Sequence, residues 1–251
     1  MSGNSAGREP SVINGDEEDN QPAQLALAVQ LPDDETFASF YPGDNAQLIT
    51  ALKNAAIGQG DELLYFWGQQ GSGRSHLLHA SCAELDGEGE TAAYISLDSY
   101  QNMSPRLLDG MELLALVCLD NLDAIAGVEE WERAVFNFFN RRRDRASGSL
   151  VISAINAPRN LGLGLPDLAS RLDWGVAYQL KPLDDEGKLS ALQLRSELRG
   201  FKLPTDVGRF LLNRLSRDMS TLLAALDLLD NASFQAKRKL SIPFAKEILG
   251  L

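Results

Sequence analysis

The stretch Gly68-Gln69-Gln70-Gly71-Ser72-Gly73-Arg74-Ser75 constrains this chain more than any other. It spells G-x-x-x-x-G-R-S, one letter from the phosphate-binding loop G-x-x-x-x-G-K-[ST]. The run Leu63–Trp67 ahead of it is continuously apolar, as a strand buried on both faces must be. Ser75-His76-Leu77-Leu78-His79-Ala80 behind it opens a helix. Strand, glycine loop and helix together aim backbone N–H groups and a helix N-terminus at one point, and that point suits a diphosphate. Glycines let the backbone approach closely and adopt positive φ. Gln70, Gly71, Ser72, Gly73, Arg74, Ser75 and His76 are therefore candidate phosphate-binding residues. Arg74 is the departure. It keeps the charge of the usual lysine, but its planar fork wants a bidentate partner, so nucleotide binding is expected and fast hydrolysis is not.

The rest of residues 36–180 repeats strand and helix. Thr91–Leu97, Leu113–Asp120, Ser149–Ile155 and Val176–Leu180 read as further strands, with helices at Ala46–Ile57, Glu129–Arg145 and Leu165–Leu172. Alternation of this kind implies a five-stranded parallel sheet with right-handed crossovers. Asp120 closes an apolar strand beside the phosphate loop, where Mg²⁺ is held in such sites; Ser75 and Asp120 are the candidate ligands. The competing role for Asp120 is a helix N-cap. Asn121 follows it, and an amide is a poor base for activating water. Phe40, Tyr41 and Pro42 precede the first helix and are candidates either for a wall against the base or for anchoring the linker in the core. Arg141-Arg142-Arg143 reads as solvated charge at a helix C-terminus rather than a nucleic-acid contact.

From Pro182 the pattern is helical throughout: Leu183–Leu198, Thr205–Leu215, Met219–Ala236 and Pro243–Leu249, with Thr205 and Ser241 as expected caps. Residues 181–251 should form a helical lid bundle. At the other end, residues 1–23 are poor in large apolar groups and cannot pay the entropy of ordering. Residues 1–35 hold eight acids against Arg8, seven of the twelve net negative charges, so the remainder is only mildly acidic. There is no broad basic bias of the kind a stand-alone DNA binder carries. Within this acidic tail sits one apolar island, Gln24–Val29, whose position suits a peptide ligand for a partner's groove; an edge strand is the alternative. Cys82 and Cys118 sit in apolar contexts without metal spacing, as core thiols of a reducing compartment do. No stretch approaches about 18 consecutive apolar residues and no signal pattern opens the chain, so a cytoplasmic protein without a membrane span is expected.

A phosphate-loop α/β domain followed by a helical lid resembles the AAA+ ATPases. Asp167-Leu168-Ala169-Ser170-Arg171-Leu172-Asp173-Trp174-Gly175 is similar to the element that carries the arginine finger of the replication initiator DnaA. Together with Gly73–Ala80, Leu31–Phe40 and Arg199-Gly200-Phe201, it makes the chain look, over residues 24–251, like a DnaA-like AAA+ protein of the regulatory-inactivator type. That resemblance implies several roles. Arg74 is the family's own choice. Gln24, Leu25, Leu27 and Val29 form a peptide for the β sliding clamp. Arg171 is a finger acting in trans on DnaA; an internal ion pair with Asp167 or Asp173 is the competing role. The bound cofactor is ADP or another nucleoside diphosphate, with Mg²⁺ as a candidate, and the expected function is negative regulation of replication initiation. A self-sufficient AAA+ ATPase acting as a loader or remodeller is the alternative. The lid arginine that reads nucleotide in such proteins is replaced by Ser220, with Arg217 one turn earlier as a candidate substitute. The initiator's polar residue on the fourth strand aligns with Ile155, leaving Ser153 or Asn156 as stand-ins. The initiator's helix-turn-helix has no counterpart, so no sequence-specific DNA binding is expected.

Overall fold

The computed structural model describes residues 34–86, 91–145 and 148–251. The Gln24–Val29 island lies outside them. Five strands form one parallel sheet: β1 (Leu63–Trp67), β2 (Ala92–Ser96), β3 (Leu116–Asp120), β4 (Ser149–Ala154) and β5 (Val176–Gln179), in the order β2-β3-β4-β1-β5. Helices α1 (Ala46–Ala56), α2 (Arg74–Asp86), α3 (Glu129–Arg145) and α4 (Pro166–Trp174) flank it. Side-chain alternation along β1 explains the layering. Leu63 and Tyr65 join the apolar cluster under α3 and α4, while Leu64 and Phe66 join the cluster under α1 and α2. A central strand of this kind cannot spare a polar residue on either face.

The third strand is shorter than its apolar run. Met111–Leu113 forms a 3₁₀ turn behind Gly110, which takes φ 86°, and Leu113 is left exposed. Cys82 and Cys118 face each other in the core, Sγ to Sγ 3.7 Å, unbonded, and burial raises the Cys118 thiol.

Beyond β5 come α5 (Asp185–Leu198), α6 (Thr205–Arg214), α7 (Met219–Ala236) and α8 (Ile242–Leu249), which pack around their own cluster of Leu192, Val207, Leu211, Leu226 and Phe244. Asp184, Asp218 and Ser241 cap α5, α7 and α8 by accepting backbone N–H bonds. Thr205 does not cap α6. Pro204 occupies the cap position, and the Thr205 hydroxyl instead accepts from Gln193 Nε2 at 3.2 Å.

The arginine run differs from its sequence reading. Arg142 is buried and donates to the carbonyls of Met111, Leu114 and Ser149 at 3.0–3.2 Å, tying α3 to the loops at the foot of β3 and β4. Its aliphatic and apolar surroundings push its ionisation down by desolvation. Gly148, at φ 72°, lets the chain pass: a Cβ there would lie 2.6 Å from Arg142 Nη2 and 2.4 Å from the Ala115 carbonyl. Arg143 remains exposed.

Candidate functional site

The carboxyl ends of β1, β3 and β4 meet the lid helices around a cavity of about 490 Å³. Crevices at these strand ends are where open α/β sheets bind ligands. β1 turns into the glycine loop, anchored where the Gly68 amide donates to Ala154 at 3.1 Å. Gly71 and Gly73 take φ 74° and 95°, conformations that L side chains resist. Gln70 through His76 line the cavity, as do Phe40, Tyr41 and Ser220; Pro42 does not, and lies exposed.

Phe40 combines the two roles open to it. It walls the cavity, and it packs on the loop closely enough that a Cβ on Gly73 would meet its Cε2 at 2.8 Å. It also stands edge-on to His76, ring centroids 5.3 Å apart. His76 Nε2 lies 2.9 Å from the Thr36 carbonyl and 3.3 Å from Ser39 Oγ, so this ring fastens the 36–40 segment to α2. Burial depresses its pKa, which keeps it neutral.

Arg74 is nine-tenths buried. Its Nη2 donates to Asn121 Oδ1 at 2.9 Å, and its Nη1 lies 3.7 Å from Asp123 Oδ1. Asn121, at φ 58°, in turn donates to Asp98 Oδ2 at 2.7 Å. The amide in the position of a base is thus fully used in holding the loop's arginine. Desolvation, then repulsion from Asp120 and Asp123, raises the Asp98 carboxyl above the usual range. Arg74 Nη1 and Ser72 Oγ are buried without a hydrogen-bond partner among the described residues. Orphaned donors in a glycine cradle fit an incoming phosphate oxygen.

Asp120 is fully buried at the end of β3. Ser75 Oγ donates to its Oδ2 at 2.5 Å and Tyr94 hydroxyl at 2.9 Å, while Ser153 hydroxyl and the Asn121 amide serve Oδ1. It caps no helix. Ser75 and Asp120 sit close enough to share one cation, yet no group of three His, Cys, Asp or Glu among the described residues is arranged to hold a metal. Mg²⁺ would fit here only with phosphate oxygens completing its shell, which is its habit in nucleotide sites.

The lid contributes a cation that periodicity alone could have revealed. Leu189, Leu192 and Arg195 share the buried stripe of α5, and Arg195 lines the cavity. Its guanidinium grips Asp34 through both the carboxylate and the backbone carbonyl, and Arg199 joins at 3.2 Å. Arg217 turns away to Asp185 at 3.2 Å. Neither fourth-strand stand-in lines the cavity: Ser153 serves Asp120, and Asn156 is exposed, its backbone carbonyl accepting from the Tyr65 hydroxyl at 2.6 Å. Asp98, Asp123 and Arg195 line the cavity although sequence reasoning missed them. Asp98 follows β2 as Asp120 ends β3, a parallel the strand pattern offered.

Arg171 stands elsewhere, on α4 just before the edge strand β5. It makes no ion pair among the described residues; Asp173 pairs with Arg159 at 2.8 Å. Its guanidinium stacks 4.8 Å from the ring of Trp174, which is 72% exposed. The loop that leads into α4 is pinned by Glu132, a buried carboxylate accepting from the amides of Gly127, Gly164 and Leu165 at 2.6–3.0 Å.

Residues 185–249 match the family model described as the Hda lid domain. The fold is similar to domain III of the Thermotoga maritima replication initiation protein DnaA, at 22% identity over 88% of this chain and 97% of that one, with a TM-score of 0.73. It is also similar to AMPPCP-bound DnaA from Aquifex aeolicus, at 21% identity over 82% and 68% of the chains and TM-score 0.65. Thermotoga maritima RuvB shares the architecture at 13% identity over 86% and 73% of the chains, with a TM-score of 0.63.

Proposed function

We propose, from the premise that this chain is an Hda-like, DnaA-related AAA+ protein, that it restrains replication initiation by switching off its relative DnaA. In this reading the phosphate loop holds a nucleoside diphosphate structurally. Gly71 and Gly73 bring the backbone amides to the phosphates, Arg74 and Ser75 carry charge and hydroxyl to them, and Phe40 and Tyr41 flank the cavity. The nucleotide spans loop and lid, and so fixes the angle between them. Mg²⁺, held by Ser75 and Asp120, would offset phosphate charge. The peptide Gln24–Val29 docks on the DNA-loaded sliding clamp, with Gln24 in a polar pocket and Leu25, Leu27 and Val29 in an apolar groove. There Arg171 meets the ATP of DnaA and stabilises the charge that builds as its γ-phosphoryl group transfers.

The observation that carries this reading is the setting of Arg171. A cation that stacks on an exposed tryptophan and has no carboxylate partner among the described residues is available to a neighbour. Against a self-sufficient ATPase stands Asn121, whose amide is committed to Arg74 and Asp98. The test is ATP turnover by this protein alone, by DnaA alone, and by both with clamp loaded on DNA. Stimulation only in the complete mixture is expected; equal turnover by this protein alone sinks the reading. Replacing Gln24, Leu25 and Leu27 with Ala should abolish clamp binding without moving the melting temperature, since each buried leucine is worth about 1.5–3 kcal/mol.

A further inference from the structure

The position where a lid arginine would reward a γ-phosphate carries a carboxylate at its shoulder. Asp218 caps α7, and the capping is done by Oδ2 alone, which accepts from the Thr221 amide at 3.1 Å, the Thr221 hydroxyl at 3.3 Å and the Ser220 hydroxyl. Oδ1 has a different neighbour. It presses on the glycine loop so closely that a Cβ on Gly71 would lie 2.2 Å from it. Gly71 is therefore required twice, by its φ of 74° and by this carboxylate. Among the described residues no cation pairs with Asp218; Arg217, next to it, is turned to Asp185. The Ser220 hydroxyl, then the Thr221 amide and hydroxyl, outweigh burial and hold its carboxyl below the usual range. It is charged at neutral pH.

Asp218 stands behind the glycine loop rather than among the residues lining the cavity, and the charges that do line it do not cancel its own. Arg74 and Arg195 line the cavity against Glu35, Asp98 and Asp123, and Arg195 is already neutralised by Asp34. The loop thus offers phosphate donors while the lid sets a fixed negative charge against the same loop. Each phosphate added to the ligand adds charge to be repelled, so a triphosphate loses more than a diphosphate. We infer that Asp218 is the specificity-determining residue of this site, selecting nucleoside diphosphate over triphosphate from the lid. This rests on the nucleotide reading above, and goes beyond it by naming a residue outside the phosphate loop. It also gives the missing lid arginine a physical counterpart: Ser220 has lost the charge, and two residues earlier Asp218 brings the opposite one to the glycine loop.

Asp218→Asn separates capping from charge, because asparagine caps as well as aspartate. Calorimetric titration of the full chain with Mg·ADP and Mg·ATP should show diphosphate preferred by the native protein. In Asp218→Asn, ATP should gain about tenfold (about 1.4 kcal/mol) while ADP changes by no more than about threefold. Asp218→Ser, another good cap without charge, should behave alike, and melting curves without nucleotide should confirm that both variants fold. An unchanged ATP-to-ADP ratio in both variants overturns the inference while leaving nucleotide binding in place. Equal gains for the two ligands overturn it as well. If the native chain binds neither nucleotide, the nucleotide reading falls and the inference with it, a result distinct from the other two.

Discussion

Two ends of the sheet hold their arginines in opposite ways. At the carboxyl end of the central strands Arg74 is nine-tenths buried, fixed by Asn121 and faced by Asp123, and across the cavity Arg195 is clamped by Asp34. At the outer edge Arg171 has, among the described residues, the face of Trp174 and no directed acceptor. The difference is one of partners. A guanidinium that has given up its water needs directed acceptors, and breaking such a set costs the desolvation of whatever remains. An aromatic face asks for no direction and gives about 0.5–1 kcal/mol at an exposed site, so the cation can leave it for a better anion. The inward arginines belong to this chain's own architecture, and the outward one is fastened by no directed bond among the described residues.

The largest effect that would break this contrast is on the partner. Arg171→Ala should lower DnaA's clamp-dependent ATP turnover by about 10³–10⁵-fold, to its unstimulated rate. Arg171→Lys should restore little, because an ammonium lacks the planar fork. Neither change should move this protein's own melting temperature by more than about a degree, since the residue has no directed partner among the described residues. Full stimulation by Arg171→Ala would show that the finger lies elsewhere.

A smaller effect, on stability, sharpens the same contrast. Arg142→Ala strips one buried and two half-buried carbonyls of their donor and opens space under Gly148. A loss of about 3 kcal/mol is expected, measured by denaturant unfolding. Arg143→Ala, one residue along the same run but exposed, should cost less than about 0.5 kcal/mol. Comparable losses for the two would mean that the inward setting of Arg142 contributes nothing.

Glu132 links the two regions. Its carboxylate gathers three amides that shape the loop entering α4, and α4 carries Arg171. Glu132→Gln keeps the size but turns an amide N–H₂ toward N–H donors. About 2 kcal/mol of stability should go, as buried donors lose their acceptor. If Arg171 acts on DnaA as proposed, stimulation should fall partway, because the helix that carries it is then less well placed. Loss of stability with stimulation fully retained would separate the loop from the finger.

The sheet and the helical region were legible because their signals are local. Five apolar runs, a glycine loop and helical periodicity each follow from the spacing of a few neighbouring residues. The third strand was over-read, since Leu113 and Leu114 continue an apolar run that Gly110 has already turned into a 3₁₀ segment. The buried Arg142 was missed for a different reason. Its partners are carbonyls of Met111, Leu114 and Ser149, and nothing in a side-chain pattern announces which backbone groups a distant loop leaves unpaired. The same holds for Asp218, whose cap is written in the sequence while its contact with Gly71 depends on how the lid sits. Asn121 and Arg74 were singled out separately, and only the fold shows that they hold each other.

The smallest effect concerns the clamp on Arg195 and the segment behind it. Asp34, Glu35 and His76 all bind fewer protons when folded than when unfolded. For Asp34, burial is outweighed by Arg195 and Arg199; for Glu35, the hydrogen bond to His79 at 2.5 Å leads; for His76, burial leads. Lowered pKa values in the folded state have one sign. Each group's contribution is complete above its unfolded pKa and is lost as pH falls through the folded one. His76 therefore weakens the fold first, below about pH 6.5, and the two carboxylates follow below about pH 4.5 and 4. Melting temperature should fall gently from pH 7 to 5 and more steeply below. His76→Phe, which keeps the ring against Phe40, should flatten the upper part of that curve, and Glu35→Gln the lower part. Rising stability between pH 7 and 5 would show that this segment is held by something other than neutral His76 and the ionised pair behind it. The lid cation would then have to be fastened differently from the arginine it faces.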